Sequence, residues 1–199
     1  MLRSTIYATL LLLLFTQSTQ AASLVVNSNT VIGASGVNVN GILYDVAIGD
    51  GTCVSLFNGC DQSADFPFAS SDDTINALQA LLSILQTPFN NNPNLSFAGC
   101  NDQVSSFCLI LTPRTLVNDN LISHFLQAHA STRTITLPTN FNLTPLPNAS
   151  DTTIDDSQTF ARWTPQQTNN VPEPNAFMLL GIGLLSQRWL RIRGKRVLV

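Results

Sequence analysis

The 199-residue sequence predicts a small α+β domain carrying a β-hairpin, two amphipathic helices and disulfides, followed by a flexible linker and a C-terminal transmembrane helix. Three observations predict this: an Asn-Gly turn between short apolar runs, two stretches with apolar residues at helical spacing, and four cysteines in a chain with an export-type leader. The charge distribution sets further bounds. Residues 23–171 hold three basic side chains (Arg114, Arg133, Arg162) against eleven Asp, a net of 3 − 11 = −8, with neither Lys nor Glu. Phosphate binding relies on clustered Lys and Arg, so this region is not a nucleic-acid binder. Its polarity comes instead from neutral hydrogen-bonding groups, since Ser, Thr and Asn make up 57 residues of the chain.

Residues 1–22 read as a signal peptide. Arg3 precedes the apolar run Ile6–Phe15 with five consecutive leucines, followed by polar Thr16–Gln20 and the small pair Ala21 and Ala22, where cleavage is expected. Ten residues rise only about 15 Å as a helix, half of a bilayer's hydrocarbon core, so the segment suits transient insertion rather than anchoring. It implies passage through a Sec translocon and processing by signal peptidase.

Residues 23–137 form the expected exported body. Val37–Val39 and Ile42–Val46 flank Asn40-Gly41, a dipeptide suited to the positive φ angles of a tight hairpin. Gly33-Ala-Ser35-Gly36 lacks the spacing of a nucleophile elbow and reads as a loop before that hairpin. A first helix is expected from Asp73 to Gln86, capped by Ser71 or Asp72, with Ile75, Leu78, Leu81, Leu82 and Leu85 on one face and Pro88 stopping it. Phe107–Leu111 reads as a buried strand ended by Pro113. A second helix is expected from Val117 to Ala130, with Leu121, Ile122, Phe125 and Leu126 inward, and Thr132–Leu137 as an edge strand bounded by Pro138.

The cysteines are Cys53, Cys60, Cys100 and Cys108, spaced C-x6-C and C-x7-C, which does not match structural zinc sites. An even number in an exported chain favours disulfides. Of three connectivities, the local one, Cys53–Cys60 with Cys100–Cys108, is favoured because each pair encloses polar loop residues able to turn back.

No catalytic, cofactor-binding or metal residues are expected. On the expected second helix His124 and His129 lie about 140° apart, so they cannot share a metal, and His124 is expected to face solvent. Asp61, Asp65, Asp72 and Asp73 fail the EF-hand pattern and read as a solvated loop and a helix N-terminus. Eleven Asp make some carboxylate pair inevitable, so no glycosidase pair stands out.

Residues 138–170, rich in Pro, Thr and Asn, read as a linker with one returning strand at 158–164. Residues 171–199 carry Pro172-Glu173-Pro174, the apolar run Ala176–Leu185, and a basic tail of Arg188, Arg191, Arg193, Lys195 and Arg196. Counting through Ile192 gives about 17 residues, at the low end for crossing, with the basic end cytoplasmic.

This C-terminus resembles that of the PEP-CTERM proteins of Gram-negative bacteria, over about 28 residues from Val171. The resemblance implies recognition and processing by an exosortase, a membrane-embedded cysteine transpeptidase-like enzyme. It also implies delivery of the body from the inner membrane to the cell surface or an exopolysaccharide matrix. This chain differs in carrying Asn175 and Phe177 where small residues are usual. The expectation is therefore a non-enzymatic surface or matrix protein. The alternatives are a carbohydrate-active hydrolase, or a polysaccharide-binding module stacking sugars on Trp163, Tyr44 or exposed Phe.

Overall fold

The computed structural model describes residues 21–101, 104–138, 146–147 and 150–167. Residues 21–166 among these belong to one compact unit. The α+β expectation is overturned: among the described residues the body is mostly β, a nine-stranded sheet with one long helix on one face.

In chain order the strands are β1 (Ser23–Asn27), β2 (Thr30–Val39), β3 (Ile42–Gly49), β4 (Ser96–Phe97), β5 (Phe107–Val117), β6 (Asn120–His129), β7 (Thr134–Thr136), β8 (Leu146–Pro147) and β9 (Gln158–Pro165). Helix α1 spans Cys53–Leu56 and α2 spans Ser71–Asn91. The main path through the sheet is β1-β2-β3-β9-β5-β6-β7, with β4 beside β2 and β8 beside β6.

Three hairpins share one local device. Each turn places two residues in the left-handed region: Ser28 and Asn29, Asn40 and Gly41, Asn118 and Asp119, with φ between 48° and 89°. Two consecutive positive φ angles match the right-handed twist of the flanking strands. The pairs Asn27–Thr30, Val39–Ile42 and Val117–Asn120 close these turns. Only the middle one has the Asn-Gly signature.

The segment expected as a second helix is therefore β6, paired along its length with β5. The burial of β6 explains the misreading. Leu126 and Ala128 face α2, while Leu121 and Phe125 face the opposite side, where the Cys53–Phe66 segment covers the sheet. With both faces covered, apolar residues occupy both parities and the period-2 signal is lost. Pro113 does not end β5. The register shifts between Pro113 and Thr115, and the strand continues to Val117. Gly33–Gly36 is not a loop but part of β2, where a Cβ at Gly33 would collide with the Val46 carbonyl oxygen.

Helix α2 is capped one residue before the expected caps. Ser70 is the N-cap and accepts from Asp73 N at 3.0 Å, with Asp72 and Asp73 in the first turn, where the helix dipole favours negative charge. Leu78, Leu81, Leu85 and Phe89 are buried against Val31, Val46, Ile110, Leu126 and Trp163. Burial of each such side chain contributes roughly 1.5–3 kcal/mol. Pro88 does not stop the helix, which runs to Asn91. Near a C-terminus the missing proline N–H removes one bond, while the Arg133 guanidinium gathers the carbonyls of Phe89, Asn92 and Leu95 and stacks 3.7 Å over the Phe89 ring.

The region expected as a linker contributes β8, a short 3-10 turn at Thr152–Ile154, and β9. β9 lies mid-sheet, antiparallel to β3 and parallel to β5. The expected edge strand at 132–137 is β7, three residues long. No helix among the described residues is long and apolar enough to cross a membrane. The transmembrane helix expected in 171–199 and the apolar leader segment lie outside the described residues.

Candidate functional site

The four cysteines form Cys53–Cys60 and Cys100–Cys108, with Cα separations of 5.6 and 5.8 Å, the local connectivity. Cys53 opens α1, whose N-cap Thr52 accepts from Ser55 N, and Cys60 closes the loop after it. This staple presents Phe57 to Phe66 and Phe160 in edge contacts 5.6 Å between centroids. The second bridge ties the loop before β5 to the strand itself, beside Ala128 and Leu126 in the main core.

Beyond the ends of β3 and β9, four carboxylates gather: Asp50, Asp151, Asp155 and Asp156. The backbones of Gly51 and Thr152 join them, Thr152 N donating to Gly51 O at 3.1 Å and Gly51 N to Thr152 Oγ1 at 3.1 Å. Asp151 accepts from Thr153 N and Thr153 Oγ1, which hold its carboxyl below the ordinary range. Asp155 accepts from Ser157 N, Ser157 Oγ and Gln158 Nε2. Burial pushes the Asp50 carboxyl up, and its neighbours Asp151, Asp156 and Asp155 add to the shift against a hydrogen bond from Thr152. Asp50 Oδ1 and Thr159 Oγ1 are both buried without a hydrogen-bond partner, and both crowd Gly99, where a Cβ would strike them.

Two open depressions flank Asp155, one reaching Leu146, Pro147 and Asp151, the other Val104, Ser105 and Asp156. Asp50 lines neither of them. The group whose pKa is raised is half-buried, with its buried Oδ1 set beside Gly99.

A second polar pair sits at the start of α2. Ser71 Oγ lies 3.0 Å from His124 Nε2. His124 is 4% exposed, which corrects its expected solvent-facing position. Burial, then the nearby Arg114 charge, holds the imidazole below its ordinary pKa and so neutral at pH 7. His129 stands five residues along the same strand, an odd step that turns it to the opposite face.

Two other carboxylates act as local caps. Asp65 accepts from the backbone of Asp61 and Gln62, and Asp73 accepts from Ser70 Oγ and Asn40 Nδ2. Among the described residues no three His, Cys, Asp or Glu converge as a metal site. Tyr44 and Trp163 do not offer stacking platforms. They are 8% and 4% exposed and pack on each other and on Phe68 inside the core.

Ala21 and Ala22 lie exposed just before β1. Pro172, Glu173 and Pro174, with Arg188, Arg191, Arg193, Lys195 and Arg196, lie outside the described residues. The Asp50 cluster and the Ser71–His124 pair escape sequence reading because each joins residues 53 to about 100 positions apart. Compared with family models, curated proteins and solved structures, the chain matches none.

Proposed function

We propose that this chain is an exported, non-enzymatic cell-surface or exopolysaccharide-matrix protein, sorted and processed by an exosortase at Pro172-Glu173-Pro174. The observation that carries the reading is that tripeptide followed by an apolar run and five basic residues, behind a body with a leader at its other end. Two disulfides suit the oxidising conditions outside the cytoplasm. The body adds support through its interior. Tyr44 and Trp163 are spent on packing inside the core.

On this reading the apolar tail holds the precursor at the inner membrane until the exosortase acts, with the acidic body outside. Glu173→Ala, in a host carrying an exosortase, should leave uncleaved precursor in the membrane fraction, visible as a band larger than the released form. Unchanged release would defeat the proposal. Turnover of the host's own polysaccharide by the purified protein would instead favour the hydrolase.

A further inference from the structure

We propose that β1 is a docking edge for a second copy of this chain, the two β1 strands pairing antiparallel about a two-fold axis. In the sheet order β1 is outermost, and among the described residues only β2 pairs with it. An edge strand presents unpaired N–H and C=O groups, which proteins ordinarily guard with Lys, Pro, inward charge or a bulge. None of the first three is present. The sequence has no charged residue and no proline between Arg3 and Asp45. A register shift lies between Val25 and Val26, but the extra residue is Ile32 on β2, so β1 itself carries no insertion. The opposite edge differs: β7 has three residues and is bounded by Arg133 and Pro138.

The residues of β1 suit self-pairing. Val25 and Val26 are 40% and 44% exposed, although both are large and apolar. Centring the pair on Val25 places Val25 against its own copy, Leu24 against Val26 and Ser23 against Asn27. Leu24 already packs at the rim of the main core, so the neighbouring Val26 of the second copy extends that apolar face. Charge favours a second copy meeting here. Residues 23–171 carry a net −8, so two copies repel over most of their surface, and the uncharged β1 edge is where that repulsion is least. A basic partner would be drawn to the carboxylates instead. A two-fold contact closes at two copies and does not propagate.

The test uses the full chain, exported on its own leader, and does not depend on exosortase processing. Val25→Cys should give a disulfide-linked dimer on a non-reducing gel, whereas Ile154→Cys, at an 87% exposed site away from β1, should not. In sedimentation velocity at high micromolar concentration, the unaltered chain should be dimeric and Val25→Lys monomeric, with the same circular dichroism spectrum. A monomeric unaltered chain would overturn the proposal. So would a dimer that survives Val25→Lys, or equal cross-linking at positions 25 and 154.

Discussion

Trp163 Nε1 donates a 3.1 Å hydrogen bond to Thr112 Oγ1, joining β9 to β5 in the interior, where Thr112 is 0% and Trp163 4% exposed. The indole has one donor and no other polar atom, so this bond decides whether its burial is satisfied. Thr112→Val keeps the shape but removes the acceptor. It should lower unfolding free energy by about 1–3 kcal/mol, the cost of a stranded buried donor. Thr112→Ser, which retains an oxygen, should recover part of the loss. Urea unfolding followed by circular dichroism checks both.

The Cys53–Cys60 bridge closes a short loop, with a sequence separation of 7. On the chain-entropy estimate, replacing both residues with Ala should cost about 2.5 kcal/mol. Loss should fall on the face holding Phe57, Phe66, Leu111, Leu121 and Phe160, where this segment is the cover. Hydrogen exchange of the Leu121 amide should accelerate more than that of Leu81. A non-reducing digest should yield peptides joined within the 50s and within the 100s, never between them.

Asp50 binds its proton more tightly in the folded chain than in the unfolded one, because burial and three neighbouring carboxylates disfavour its charge. The folded pKa lies above the ordinary 3.8, so this group penalises folding as pH rises from that value through the folded pKa, and by a constant amount above it. Asp50→Asn removes the penalty. The variant should be more stable than the parent at pH 7, with the difference shrinking as pH falls to the ordinary carboxylate value. Melting temperatures of both proteins across that window check the sign, and a difference that grows on acidification would contradict it.

What the sequence made legible followed from locality. The Asn40-Gly41 turn, the stripe of Leu78, Leu81 and Leu85, and the pairing of cysteines seven and eight residues apart are all encoded within short windows. β6 was illegible because its two faces meet two different covers. Leu121, Ile122, Phe125 and Leu126 then mimic helical spacing, and Asn118-Asp119 gives a weaker turn signal than Asn-Gly. Pro88 and Pro113 misled in the same way, each read as a terminator although long-range contacts carried the element past it. The charged cluster was hidden by number, since nothing in the neighbourhood of Asp50 distinguishes it from ten other aspartates until Gly99, Thr152 and Thr159 fold around it.

The place of β9 also bears on how such a chain closes its sheet. β3 and β5 do not touch as partners; each reaches the other only through a strand made of residues 158–165. Those residues are the last of the body in chain order, so the sheet is completed from its middle and not from an edge. The keystone is the final piece of the sequence to be laid in place.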